Sequence, residues 1–443
     1  MPTMNARAQR TRKRSATGLV RLPVSQAWSC HRRGGCCREH LVPLSRAEAD
    51  WIIAQDWGND LSEQPVRRLS GWLGTATPVL AQRPDGSCVF LDENGLCRIH
   101  TRYGEEAKPL ACRLFPYVFV PLGPSVRLSL RFSCPSVCGN LGSALDTSQR
   151  AIDTLWHEVR RREGSGTAVG SAPVPRVYRA VQAASWQSVE AYLDTAARFF
   201  HTAGPSIRQQ CLRLAAWHAH ALQALALPKE ACASALDQAA IAVLQAVGQQ
   251  QLDQPPPSML AELTVRVTSA RIARRDRLAD RGAVPALRRA GRVLKLTCWP
   301  GRLPAFGVFG PVSLRAVRSI TPEPTAEAVE LLYRYLRIKL WSGQFFGTAF
   351  FGLSIHDGLV NLLFLVAVAL WLARWHAAAR GLKAADLEAV EAAIRHVDHH
   401  FGFDPFLAGR AHRLRLRYLW TTGQLLRLIA HGGCRSFPPE ELR

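Results

Sequence analysis

The chain has 443 residues, enough for two or three domains with adequate cores. Its 48% hydrophobic and 20% charged content places it among globular proteins and excludes a disordered, low-complexity class. A net charge of +22 admits a nucleic-acid or other anionic partner. That charge is nearly all arginine, spread through every segment, with only six lysines. Scattered Arg beside abundant Ala and Gly fits a GC-biased coding sequence equally well, so neither nucleic acid nor membrane is an expected partner.

In chain order, the basic residues 1–24 read as a disordered, solvated leader. No secretory apolar run follows them, so a cytoplasmic location is expected. In that reducing compartment, clustered cysteines bind metal more often than they form disulfides. Residues 25–40 predict a loop, in which Gly34-Gly35 lets the backbone turn close to a bound centre. Ser45 as N-cap, with Glu48 three residues on, predicts a capping box and a short helix whose apolar face begins at Trp51, Ile52 and Ile53.

Turn chemistry at Pro84-Asp85-Gly86 and Glu93-Asn94-Gly95 predicts short strands over 76–100. CVFLD and LCRIH would pair as a hairpin, bringing Cys88 near Cys97. YVFVPLGPSVRLSLRF predicts a second hairpin with Cys134 and Cys138 at its far end. A helix follows at 145–163, then the linker GSGTAVGSAPVP at 164–175, whose glycines do not follow a strand and are not read as a phosphate loop.

Apolar spacing then predicts helices near 184–202, 206–226, 229–250, 325–341, 355–377, 384–399 and 408–431. Residues 253–258 interrupt the run, and the Gly- and Pro-rich 298–324 reads as an extended loop. Gly358–Ala373 is uncharged and almost wholly apolar, but shorter than the roughly 20 residues of a membrane span. It predicts a buried central helix. The expected fold class is therefore α+β, a small loop-rich domain with short strands followed by a mainly α-helical one. The divisions expected are 1–24, 25–145, 146–175 and 176–443.

Eight of the 12 cysteines precede residue 139: Cys30, Cys36, Cys37, Cys88, Cys97, Cys112, Cys134 and Cys138. Thiolates are soft ligands suited to zinc and to iron–sulfur clusters, each of which takes four in a cysteine-only site. Eight could fill one site with spares, or two sites. Cys36 and Cys37 are adjacent, and in extended backbone their side chains would diverge. His31, His40 and His100 could substitute as ligands. Arg32, Arg33, Arg38, Arg98, Arg102, Arg113 and Arg131 lie within a few residues of a cysteine. They either offset a negative centre or belong to the chain-wide Arg excess. Cys211, Cys232 and Cys298 read as small buried apolar residues, and Cys434 as a lone tail thiol.

The ordered set CHRRGGCC, LSRAEADWI, CVFLDENGLCRIH and KPLACRLFP resembles the YkgJ-type cysteine-cluster family of zinc- or iron-chelating domains, across residues 28–138. The resemblance implies Cys30, Cys36, Cys37, Cys88, Cys97 and Cys112 as ligands. Many members carry a further cysteine where this chain has Arg33. A second resemblance rests on CVFLDENGLCRIHTRYGEE, RLSLRFSCP and YLRIKLWSGQFF in a long helical half. These look like the FliB-like flagellin lysine N-methylases, which implies S-adenosylmethionine as cofactor and a protein substrate.

No glycine-rich strand–loop–helix for a methyl donor is evident, and catalytic residues stay unassigned. His396, His399 and His400 share one helix face, with Asp398 or Asp404 able to orient a ring; the preferred reading is a helix C-terminus stopped at Gly402. The leading expectation is a metalloprotein holding an iron–sulfur cluster or zinc. The alternatives are a protein-lysine N-methylase and a basic nucleic-acid-binding protein.

Overall fold

Short elements come first and long helices second. The computed structural model describes residues 19–435 except 24–25, 59–60, 62–63, 71–75, 164–175, 179–183, 202–203, 205, 247–251, 273–277, 279–282 and 299–300. The expected linker lies outside the described residues. The first part runs β1 (Val20–Arg21), α1 (Gly35–Glu39), α2 (Arg46–Ala54), β2 (Val66–Ser70), β3 (Ala76–Leu80), α3 (Arg98–Tyr103), α4 (Leu110–Leu114), β4 (Tyr117–Leu122), β5 (Ser125–Leu130) and α5 (Pro135–Cys138).

The second part runs α6 (Gln149–Glu163), α7 (Trp186–Arg198), α8 (Ile207–Ala224), α9 (Lys229–Ala246), α10 (Met259–Ile272), α11 (Ala283–Cys298), β6 (Arg302–Leu303), β7 (Val312–Ser313), α12 (Leu314–Ser319), α13 (Ala326–Ser342), α14 (Ile355–Ala379), α15 (Leu387–His400), α16 (Arg410–Thr421) and α17 (Gln424–Ala430). The architecture is α+β.

α2 opens on the expected capping box: the Ser45 amide donates to Glu48 Oε2 at 2.8 Å, and the Glu48 amide to Ser45 Oγ at 3.2 Å. The β4–β5 hairpin also forms, with Val120 opposite Arg127. Val20 and Arg21, within the segment read as a leader, pair parallel to β5, giving the order β1-β5-β4. β5 is thus the central strand, and even its Arg127 and Ser129 are buried. Arg127 is held by Asp194 and the Trp341 carbonyl, each at 2.7 Å.

Other expectations are corrected. LCRIH is not a strand: Leu91 and Cys97 form a single bridge and helix α3 starts at Arg98. The reason is the turn itself, in which Asp92 Oδ1 takes the Leu96 amide at 2.7 Å and the Asp92 carbonyl takes the Gly95 amide. That closes the chain too tightly for a ladder to continue. Residues 298–324 contain β6, β7 and α12 instead of one extended loop. The 408–431 helix is two, broken where Gly423 adopts φ 68°. β2, α10 and α11 had no counterpart in the reading of the sequence.

Two apolar clusters form. The smaller gathers Leu44, Ala49, Ile52, Trp57, Leu80, Ala81, Cys88, Val89, Phe90 and Ile99. The larger joins the β1-β5-β4 sheet to the helices, with α14 at its centre. α14 is long and apolar enough to cross a membrane, yet 94% of its apolar window is buried inside the protein. Each large side chain so buried contributes about 1.5–3 kcal/mol, and the helix is a core element.

Backbone groups left over at the end of β5 and around α5 are met by charged side chains from α13 and α15. Lys339 Nζ donates to the Leu130 carbonyl at 2.9 Å and pairs with Asp398 at 2.7 Å. Asp398 accepts from the Ser133 amide, Arg334 donates to the Val137 and Cys138 carbonyls, and Arg395 donates to the Ser133 carbonyl. A buried carbonyl without a partner costs about 1–3 kcal/mol, so these contacts fix the cysteine-bearing segment on the helices.

Candidate metal centre

Gly34 starts α1 from the left-handed region, φ 62°. A Cβ there would lie 2.5 Å from Arg38 Nη1 and 3.2 Å from Leu91 Cδ1, and the positive φ would strain any side chain, so the position favours glycine. Because Cys36 and Cys37 then sit on a helical turn, their side chains are about 100° apart rather than opposed. Their sulfurs stand 3.9 Å apart. The divergence expected for extended backbone does not occur.

The loop that follows β3 is pinned beneath α1. The Cys88 amide donates to the Cys37 carbonyl at 2.7 Å, and Asp85 Oδ1 holds the Ser87 amide in the preceding turn. Cys97 stands immediately before α3, after the Asp92 turn. Cys112 lies on α4, whose first amide, Leu110 N, donates to Glu48 Oε1 at 2.7 Å. Glu48 therefore caps two helices at once, and Arg162 of α6 joins it at 2.7 Å. Burial pushes the Glu48 carboxyl upward, but these backbone amides and Arg162 outweigh it and hold the pKa below its usual value.

Five of the expected thiols meet here. Cys36, Cys88 and Cys112 each act electrostatically on Cys37, and Cys88, Cys97 and Cys36 on Cys112. Cys134 stands at the edge, in reach of Cys36. Cys138 is not among them: its Sγ donates to the Phe132 carbonyl at 3.0 Å, and its charged neighbours are Glu391, Arg395, Arg334 and Asp398. Cys30 is exposed, with Tyr117 in electrostatic reach. Cys211, Cys232 and Cys434 are buried, so Cys434 is packed in the core and is no free tail thiol.

Electrostatics separate Cys36 from Cys37, Cys88 and Cys112. Burial pushes the Cys88 thiol up to about 12 and raises Cys112 strongly, with neighbouring cysteines adding to both. Cys37 is raised, first by its hydrogen bond to Cys36 and then by burial. The same bond holds Cys36 down to about 7, with Lys108 helping. A pocket of this kind ionises several thiols together only against a supplied cation, whose binding releases their protons.

Lys108 and Arg83 are cations that act on these thiols. Lys108 was legible as the residue before the Pro109 that starts the Cys112 helix. Of the arginines close to a cysteine in sequence, Arg113 is engaged by Glu106 and Glu158, and Arg131 stacks on Phe403.

The donor set fits a thiophilic metal. Zinc–sulfur bonds of about 2.3 Å put the sulfurs of a tetrahedron roughly 3.8 Å apart, and the Cys36–Cys37 separation is 3.9 Å. Among the described residues no three Cys, His, Asp or Glu side chains are already arranged around a common point for an ion. The histidines of α15 are neighbours but are not arranged around an ion among the described residues: His396 packs edge-on against Phe306 and Phe309, His399 stacks on His40 at 4.4 Å with His400 4.9 Å away, and His400 Nδ1 stands 3.6 Å from Asp404. His31 is engaged with the Ser29 carbonyl and Ser136.

Residues 29–139, about a quarter of the chain, match the CxxCxxCC family model, described as "Putative zinc- or iron-chelating domain". No curated protein and no solved structure gave a match.

Proposed function

We propose that Cys36, Cys37, Cys88, Cys97 and Cys112 chelate zinc or an iron–sulfur cluster, with Cys134 as the reserve donor at the edge. The carrying observation is that thiols from α1, the 81–97 loops and α4 lie within electrostatic reach of one another, with burial raising Cys88 and Cys112 and the Cys36 hydrogen bond raising Cys37. Four thiolates satisfy either centre, and bound metal would tie together loops whose own apolar cluster is small. The chain's part is to hold the donors on capped turns and to place Lys108 and Arg83 where they offset negative charge.

The test is anaerobic purification with measurement of iron, zinc and acid-labile sulfide, and a visible spectrum. Bound metal near one centre per chain supports the reading. A metal-free, colourless and fully folded protein rejects it. Whether the helical part is a lysine N-methylase is a separate proposal, resting on resemblance. Calorimetric titration of S-adenosylmethionine into the metal-loaded protein tests it, and absence of binding sets it aside.

A further inference from the structure

Among the described residues, α11 packs chiefly on α10. Leu296 is fully buried, while Pro285, Arg289 and Val293 are half-buried, a spacing of i, i+4, i+8, i+11. The opposite side should be polar in a helix that faces only water. It is not. Val284, Leu287 and Leu294 are exposed to 57%, 71% and 62%. Ala290 and Gly291 between them are exposed as well. At about 3.6 residues per turn, these five positions fill roughly one third of the circumference. Arg288 and Lys295, both exposed and seven residues apart, run along the adjoining edge. The helix carries four basic residues and no carboxylate.

We propose that α11 is an interfacial helix that lays Val284, Leu287 and Leu294 into an anionic lipid surface, with Arg288 and Lys295 against the headgroups. An apolar stripe bordered by cations is what a lipid interface selects. A duplex nucleic acid offers phosphates to the cations and leaves the leucines uncovered. The net charge of +22 favours approach to the same surface. This binding lies parallel to the membrane and differs from a span: among the described residues, the helix long enough to cross is α14, and it is committed to the core. It also goes beyond the metal reading and does not depend on it.

The test is flotation of the full chain with vesicles of phosphatidylglycerol and phosphatidylcholine in equal parts, against phosphatidylcholine alone. Binding is expected to the anionic vesicles and to weaken with salt. Leu287→Asp with Leu294→Asp should weaken it at least roughly a hundredfold, from the burial each leucine forfeits. Arg288→Ala with Lys295→Ala should weaken it roughly thirtyfold. All four side chains are on the surface, so melting curves should match wild type. If the aspartate pair melts early, Leu287→Ser with Leu294→Ser is read instead. No binding to anionic vesicles at low salt overturns the proposal, as does binding that the leucine variants leave unchanged. Capture of RNA or an acidic polypeptide through Arg288 and Lys295, with vesicles ignored, also overturns it.

Discussion

The Cys88 amide donates to the Cys37 carbonyl at 2.7 Å, and this one bond carries the loop after β3 under helix α1. It joins residues 51 positions apart and sets the second cysteine group against the first. Cys97 and Cys112 then approach from the Asp92 turn and from α4.

The thiols should therefore divide by place and not by nearness in sequence. The triple variant Cys37→Ser with Cys88→Ser and Cys112→Ser leaves too few donors and should lose most of the bound metal, whereas Cys138→Ser should retain it, because its sulfur faces the Phe132 carbonyl. Elemental analysis of the two purified variants checks this. Equal loss in both would contradict the assignment.

Chelation of the metal should lower the unfolding midpoint of the small apolar cluster around Phe90 and Trp57 before that of the helices. Hydrogen exchange before and after chelator treatment reads it out, with protection lost first at residues 81–112.

Glu48 serves as capping partner for α2 and as acceptor for the first amide of α4. Glu48→Ala should cost about 1–3 kcal/mol in urea unfolding. Its carboxyl is held below the usual value, so this stabilisation is present above about pH 4.3 and is lost as pH falls through the lower folded value.

Lys339 and Asp398 are both fully buried; the pair joins α13 to α15, and Lys339 also donates to the Leu130 carbonyl of β5. Lys339→Met alone should cost about 3–5 kcal/mol, since it strands a buried carboxylate. The double variant Lys339→Met with Asp398→Asn should cost less than the single one. A double-mutant cycle in denaturant measures the difference, and simple additivity would count against the coupling.

Mild acid should destabilise the helical part. Burial, with His356 adding, depresses His218 strongly, and burial with Arg415 lowers His412 to about 3. The unfolded chain takes up protons below about pH 6.5 while these two rings stay neutral in the fold. Stability should therefore fall with pH from about 6.5 downward, by about 1.4 kcal/mol per unit for each histidine. Unfolding at a series of pH values, with His412→Gln reducing the slope, checks the sign and size.

What the sequence determined by itself was local. The Ser45–Glu48 box, the β4–β5 hairpin and the buried α14 depend on contacts a few residues apart or on periodicity, and their residues state them. The crowding of eight cysteines before residue 139 was equally plain. Only the tertiary structure decided which thiols meet. Adjacent Cys36 and Cys37 converge because Gly34 starts a helix there, a backbone choice that an extended reading misses. Cys138 turns away because Arg334, Arg395 and Lys339, some two hundred residues or more further on, need the carbonyls beside it. Such choices follow from satisfying buried polar groups across distant segments, and no local pattern encodes them.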